Sequence, residues 1–425
     1  MKVTVFPGQL TADTQYIPPS KSMAHRAIIC ASLAEGTSVL SNIDYSEDIR
    51  VTIQGMRQLG AEIIEDKDQL TICGISNFDS CQAEQIECNE SGSSLRFFIP
   101  IFSLTKRKIS FTGKNRLLHR PQSVYQTLFE KQGLKYVHTE NSIEIEGSIQ
   151  ADEIELPGDI SSQFISGLLF SLPLCSQTSR IRVQEPFESR SYVDLTLQML
   201  NRFGIQAFYE DRNTLIIPGQ QKYQSHNETI EGDYSQLGFF AALGVLNHSL
   251  NCLSLKHDSL QGDKELISIL QNMGAHIEMI ENGYRFHRGV LHGSCIDLAN
   301  CPDLGPILMV LASYAQGTTT IINAGRLRYK ESDRILAMET ELRKLGVDIS
   351  STEDTVTIHG PVCWQGKQIV DGHKDHRIVM SLAVGATLAN NSITIREAQS
   401  IRKSYPQFFE DLCHLGINVE VLDHE

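Results

Sequence analysis

An apolar helical segment that ends in glycine and runs into a short β-like stretch occurs six times along the chain. Its copies are MRQLGAEI, FEKQGLKY, NRFGIQAF, LQNMGAHI, LRKLGVDI and LCHLGINV. The glycines are Gly60, Gly133, Gly204, Gly274, Gly346 and Gly416, spaced by 73, 71, 70, 72 and 70 residues in a chain of 425. A fixed period of this kind marks a fold built from one supersecondary unit used repeatedly. Each glycine fits the left-handed position that closes a helix before a strand begins. A second series keeps step with the first: a turn rich in Ser, Asp or Glu leads straight into an apolar helix. Its members are PSKSMAHRAIICASLA, NESGSSLRFFIPIFSL, GDISSQFISGLLFSL, GDYSQLGFFAALGVL, DLGPILMVLASYA and KDHRIVMSLAVGATLA, with turns at Ser20, Glu90, Asp159, Asp233, Asp303 and Asp375. Together the series describe six copies of an α/β unit with two helices each. The first helix is apolar on nearly all sides and is therefore expected to be buried.

The stretch PGQQKYQSHNETIEG, Pro218 to Gly232, is the most polar one without periodicity, and it follows the third repeat. Three repeats on each side make two similar domains. The expected division is 18–229 for the N-terminal domain and 1–17 plus 230–425 for the C-terminal one, whose sheet the first strand completes. The default place for a ligand is the cleft between them. A net charge of -14 argues against a nucleic-acid or acidic-membrane partner, because binding a phosphate backbone needs an excess of Lys and Arg. No apolar run approaches the roughly 18 to 20 residues that span a bilayer, and MKVTVFPGQL alternates like a strand without the apolar core of a leader. Residence in the cytoplasm is expected, with the ten scattered cysteines as reduced thiols.

In so acidic a chain, the places where cations gather are informative. Lys21, Arg26, Arg96, Lys374, His376 and Arg377 lie in or beside the first turns of the apolar helices, where free backbone amides attract anions. Lys330 and Arg334 sit together in RLRYKESDR. A helix terminus contributes about 0.3 to 1 kcal/mol to a nearby anion and a charge-assisted hydrogen bond about 1.5 to 3, so several converging would hold phosphorylated molecules. Two carboxylates stand out. Asp303 precedes an otherwise apolar helix, as either a cap or a general base. Glu331 is flanked by Lys330 and Arg334, as either an ion pair or half of an acid–base couple. The sequence has no GxxxxGK[ST] or GxGxxG loop, and His373 and His376 have Lys374 and Arg377 beside them, which disfavours a bound metal.

The segments PPSKSMAHR, GDISSQF, SYVDLT, RLRYKESDR, DHRIVMSLAVGA and KSYPQFF resemble, in order and across essentially the whole chain, the signatures of the 5-enolpyruvylshikimate-3-phosphate synthases. The resemblance implies two domains, each of three βαβαββ repeats, a monomer, and no metal or organic cofactor. It implies transfer of the enolpyruvyl group of phosphoenolpyruvate to the 5-hydroxyl of shikimate 3-phosphate, with release of phosphate. Carried over motif by motif, Lys21, Ser22, Arg26, Ser161, Ser162, Gln163, Ser189, Tyr192, Asp303 and Lys330 would bind shikimate 3-phosphate. Lys21, Gly92, Arg120, Gln163, Arg334, Arg377 and Lys403 would bind phosphoenolpyruvate. Asp303, Glu331 and Lys21 would carry the chemistry, Asp303 taking the 5-hydroxyl proton and Glu331 handling the proton at carbon 3. The chain departs from the family at one point: where Asn-Ala-Gly-Thr is common it has Glu90, Ser91, Gly92 and Ser93, with Asn89 one place early.

Two alternatives remain open at this level. A UDP-N-acetylglucosamine enolpyruvyl transferase would share fold and donor, but its pattern has Lys-Asn where this chain has Lys21 and Ser22. It also carries a loop cysteine, and no cysteine lies between Cys88 and Cys175. A noncatalytic anion-binding protein on the same repeat would have no need of Asp303 and Glu331.

Overall fold

Each of the six repeats folds into a four-stranded sheet with its helices, and the strand order is the same in all six. In the second repeat the strands are Gln85–Glu87, Ile109–Thr112, Lys135–His138 and Ile143–Glu146. Helix Gly92–Ser103 joins the first strand to the second, and helix Ser123–Lys131 joins the second to the third. The first pair is parallel, as a helical crossover requires, and the fourth strand lies antiparallel between the second and third. The six-repeat α/β architecture expected from the periodicity is the one observed. The computed structural model describes residues 1–422.

The two sequence series have separate structural causes. All six helix-ending glycines have positive φ, from 68° at Gly133 to 123° at Gly60, where a side chain would be strained. At the other end, Ser20, Ser91, Ser161, Asp233 and Asp375 cap the helices Lys21–Leu33, Gly92–Ser103, Ser162–Ser171, Tyr234–Leu246 and His376–Ala386 through side-chain oxygens. Glu90 and Asp159 therefore stand just ahead of their caps. The fifth repeat departs from this pattern. Helix Gly305–Tyr314 is preceded by a 3-10 turn, Pro302–Leu304, and no side chain caps either, so Asp303 is not a helix cap.

The capped helices are the buried ones. Every residue from Tyr234 to Val245 is buried, whereas helix Glu47–Leu59 buries only the face that carries Ile49, Ile53, Met56 and Leu59. Each buried Leu, Ile or Phe side chain contributes about 1.5 to 3 kcal/mol. These side chains gather into two cores. They correspond to a unit of Pro19–Ile230 and a unit of Met1–Pro18 with the chain from Glu231 onward. In the first, the leading strand of the first repeat is Glu228–Thr229, drawn from the end of the unit to pair with Thr37–Ser41. In the second, Thr14–Tyr16 pairs with Leu250–Leu253, and Lys2–Val5 lies between Ile393–Arg396 and Val419–Leu422. Among the described residues no helix is long and apolar enough to cross a membrane.

Candidate active site

The unit of residues 19 to 230 carries one cluster. Lys21 is the first residue of its helix, at the end where the dipole disfavours a cation, and its Nζ is held 2.7 Å from Asp48 Oδ2. One turn on, Arg26 is buried with its guanidinium shared among protein acceptors. Nε donates to Thr196 Oγ1 (2.9 Å), Nη1 to the Ser22 carbonyl (2.7 Å) and Nη2 to the Tyr192 carbonyl (2.9 Å). This fork ties Ser22 to the helix Arg190–Arg202, whose N-cap position is Ser189. A buried relay joins the Lys21 helix to the Gly92 helix. His25 Nδ1 lies 2.6 Å from Thr52 Oγ1, Thr52 Oγ1 3.0 Å from Ser94 Oγ, and Ser94 Oγ 2.8 Å from the capping Ser91 hydroxyl. Burial above all, against the pull of Asp48 and with the push of Lys21 and Arg26, drives the His25 pKa down to about 3, so this ring is neutral at working pH.

The same unit brings Gly92, Gln163 and Arg120 together. Gln163 donates through Nε2 to Ser93 Oγ (3.0 Å) and accepts through Oε1 from Arg96 Nη1 (2.7 Å). Arg96 also reaches Ser161 Oγ (3.4 Å) and the Pro121 carbonyl (3.0 Å), and lies over the Phe164 ring. Sequence reasoning placed Arg96 among the cations but gave it no part in the site. Its position in a first turn was the only signal. Ser162 is buried beside the cap Ser161. A Cβ on Gly92 would stand 2.9 Å from Arg120 Nη1, so the missing side chain is what admits that guanidinium. With the substrates that the sequence resemblance implies, Gly92→Ala is expected to displace Arg120 and raise KM for phosphoenolpyruvate several-fold, with KM for shikimate 3-phosphate little changed. Steady-state kinetics showing both constants unmoved would show that Arg120 has room to spare. Glu90 precedes the cap and accepts from Asn115 Nδ2 (2.6 Å), a contact that the sequence reading did not foresee.

The other unit carries a denser cluster around Arg334, whose side chain is 1% exposed. Its Nη1 donates to Asp303 Oδ1 (3.0 Å) and its Nη2 to Glu331 Oε2 (2.8 Å). Its Nε and Nη2 grip the two oxygens of Asp375 (2.9 and 3.2 Å). Asp303 is held further by Lys330 Nζ (3.2 Å) and Arg377 Nη2 (3.4 Å), and Glu331 by Lys403 Nζ (3.1 Å). Arg377 is steered by the Ser235 hydroxyl (2.8 Å), which itself leans on the cap Asp233. Asp375, Ser235 and Asp48 were not among the site residues read from sequence, because each looks locally like an ordinary first-turn residue. Lys374, grouped there with the helix-terminal cations, is exposed.

The charges of this second cluster are strongly coupled. Burial by itself would raise the Asp303 pKa, but Lys330, Arg377 and Arg334 outweigh it and hold the carboxyl well below its usual range, against a smaller opposing push from Glu331. Lys330 is shifted down as well, which for a lysine is toward the neutral form: burial lowers its pKa even though Asp303 supports the charge. For Arg334, burial is overcome by Asp375, Glu331 and Asp303, which raise its pKa. Such an arrangement keeps Asp303 ionised and aims both Asp303 and Glu331, each with cations beside it. Among the described residues no three His, Cys, Asp or Glu side chains converge as they would around a metal ion.

Comparison with known proteins gives a consistent result. The sequence model of the family described as EPSP synthase (3-phosphoshikimate 1-carboxyvinyltransferase) matches residues 7–412. The 3-phosphoshikimate 1-carboxyvinyltransferase of Clostridium perfringens (strain 13 / Type A) is 46% identical over 418 residues, covering 98% of each chain. That of Clostridioides difficile (strain 630) is 43% identical over 430 residues, with the same coverage. A solved EPSP synthase from Acinetobacter baumannii is similar with a TM-score of 0.80 and 25% identity, covering 99% of this chain and 100% of that one. The enolpyruvyl transferase NikO from Streptomyces tendae has a TM-score of 0.81 at 15% identity, covering 99% and 98%, a likeness of fold alone.

Proposed function

Because this chain belongs to the EPSP synthase family, we propose that its two residue clusters divide one reaction between them, with Asp303 and Glu331 as its proton carriers. The activity is that of a 3-phosphoshikimate 1-carboxyvinyltransferase of the shikimate pathway, which is favoured over transfer to a UDP-sugar and over noncatalytic anion binding. The observation that carries the assignment of roles is the Arg334 guanidinium bridging Asp303 and Glu331, with Asp303 released from any capping duty.

The reaction is an addition followed by an elimination. Carbon 3 of phosphoenolpyruvate gains a proton while the 5-hydroxyl oxygen bonds to carbon 2 and loses its own proton. The carbon–oxygen bond to phosphate then breaks, carbon 3 gives up a proton, and the double bond returns. Asp303, held ionised by three cations, is a weak base toward a resting hydroxyl. Its part is to orient the 5-hydroxyl and to take the proton as bond formation makes that oxygen acidic. Glu331, set between Arg334 and Lys403, serves carbon 3. Lys21, with Arg120, Arg334, Arg377 and Lys403, balances the anionic intermediate, and each charge-assisted contact is worth about 1.5 to 3 kcal/mol. Lys330, Ser22, Arg26, Ser161, Ser162, Gln163, Ser189 and Tyr192 serve shikimate 3-phosphate, and Gly92 and Gln163 serve phosphoenolpyruvate. A monomer is the oligomeric state that the sequence resemblance implies. The scattered cysteines, none of them in a disulfide, support residence in the reducing cytoplasm.

Phosphate release from phosphoenolpyruvate, with shikimate 3-phosphate or UDP-N-acetylglucosamine as acceptor, tests the assignment. Turnover only with the sugar nucleotide would overturn it. The pH profile is a finer test. Asp303 stays ionised through the neutral and mildly acidic range, because its pKa is depressed and it protonates only at lower pH. Lys330 loses its charge at lower pH than a free lysine, so kcat/KM for shikimate 3-phosphate is expected to fall as pH rises, before the ordinary value of 10.5 is reached. Lys330→Arg should move that alkaline limb upward, since a guanidinium keeps its proton. The same limb in both enzymes would exclude Lys330 as its source.

A further inference from the structure

The turn that presents Asp375 and Arg377 is built from conformations that favour glycine, yet glycine occupies neither of its strained positions. His373 and Lys374, consecutive, have φ of 50° and 54°. Each left-handed non-glycine residue costs about 1 kcal/mol or more, and such pairs persist only where the surroundings over-determine them. The surroundings here centre on Glu341. It lies two turns beyond Arg334 on the helix Arg334–Lys344, and its side chain is 1% exposed. Its Oε2 accepts from the Asp371 backbone N–H (3.0 Å) and its Oε1 lies 2.9 Å from His373 Nε2, while Lys344 Nζ neutralises both oxygens from the solvent side (2.9 and 2.7 Å). The turn is closed from within by Asp371 Oδ1 accepting His373 N–H (2.7 Å) and by the Gly372 carbonyl accepting Asp375 N–H (2.9 Å). One helix thus grips the segment at two points: Arg334 on Asp375, and seven residues later Glu341 on Asp371 and His373.

We propose that Glu341 and His373 are positioning residues for the phosphoenolpyruvate side of the reaction: through the imidazole, the buried carboxylate holds the strained turn in the form that aims Asp375 and Arg377. A surface ion pair would not need an almost fully buried acceptor or engage a backbone amide of the turn. The pairing is supported by the directions of the two pKa shifts. The bond to Glu341, opposed by burial, raises that of His373; burial would raise that of Glu341, but His373, Lys344 and the Asp371 amide lower it. Asp371 also faces the ring and favours its charge, and Lys344 opposes it. The inference rests on the assignment of Arg377 to phosphoenolpyruvate.

The test is steady-state kinetics of the full chain with both substrates. His373→Asn keeps a residue at ease in the left-handed region but is too short to reach Glu341, whereas His373→Gln places an amide donor near the Nε2 position. His373→Asn and Glu341→Gln are expected to raise KM for phosphoenolpyruvate about tenfold, with KM for shikimate 3-phosphate within about twofold, and His373→Gln should recover most of the loss. The side chain of His373 is one-third exposed, so its variants are expected to fold, and the fluorescence of the single Trp364 reports whether they do. Arg377→Ala, measured alongside, separates the two ways of failing. If it leaves KM for phosphoenolpyruvate unmoved, the reading of Arg377 falls and the proposal falls with it. If it raises that constant while His373→Asn does not, or if His373→Asn worsens both substrates equally, only the positioning role is overturned.

Discussion

Replacing Asp303 with Asn is expected to lower turnover about 100-fold or more while shikimate 3-phosphate still binds, and Glu331→Gln should do the same. Both substitutions keep the shape of the side chain and much of its hydrogen bonding. At position 303 the one amide oxygen is still able to accept from Lys330 and Arg334, which share Oδ1 of the carboxylate, while Arg377, which uses Oδ2, keeps its bond to the Ser235 hydroxyl. What is lost is the capacity to take a proton and the negative charge that three cations currently offset. The Glu331 amide likewise still accepts from Arg334 or Lys403 but carries no proton to or from carbon 3. The informative outcome is the split. A fall in kcat with shikimate 3-phosphate affinity nearly unchanged marks groups that act on the transition state. Lost affinity with normal turnover would assign the two carboxylates to ground-state binding.

Periodicity was legible because its causes are local. A helix that must turn into a strand within one residue needs positive φ, and six glycines at a constant spacing record that need. Cap residues record helix starts in the same way. Partners distant in sequence leave no such trace. The phase of the repeat assigns the first strand, Lys2–Val5, to the C-terminal sheet, but nothing in its composition fixes Ile393–Arg396 and Val419–Leu422 as its neighbours, since any alternating strand offers the same hydrogen-bonding edge. Asp303 illustrates the limit at the site. Aspartate ahead of an apolar helix reads equally as cap or catalyst, and the choice is made by Lys330, Arg334 and Arg377, the nearest of them 27 residues away. Lys21 and Asp48 are likewise 27 residues apart. The cationic character of the turns was visible, but not the carboxylates that order them.

Arg334→Lys is expected to have the largest combined effect, at least about a 100-fold loss of kcat/KM together with a measurable loss of stability in the unit that contains it. Lysine preserves the charge but not the planar fork. The guanidinium meets Asp303, Glu331 and Asp375 from three nitrogens at once, whereas a single ammonium cannot reach the same three positions. Asp375 is fully buried, and removing the partner of a buried carboxylate costs about 3 to 5 kcal/mol. A lysine that still serves one of the three lowers that cost without abolishing it. The substitution also loosens Asp303 from Glu331, so both proton carriers lose their aim even where the fold holds. Thermal unfolding followed by Trp364, the only tryptophan and fully buried in the same unit, gives the stability half, and phosphate release gives the other. Wild-type activity in a destabilised Arg334→Lys enzyme would mean that Arg334 neutralises buried charge and does not position the proton carriers.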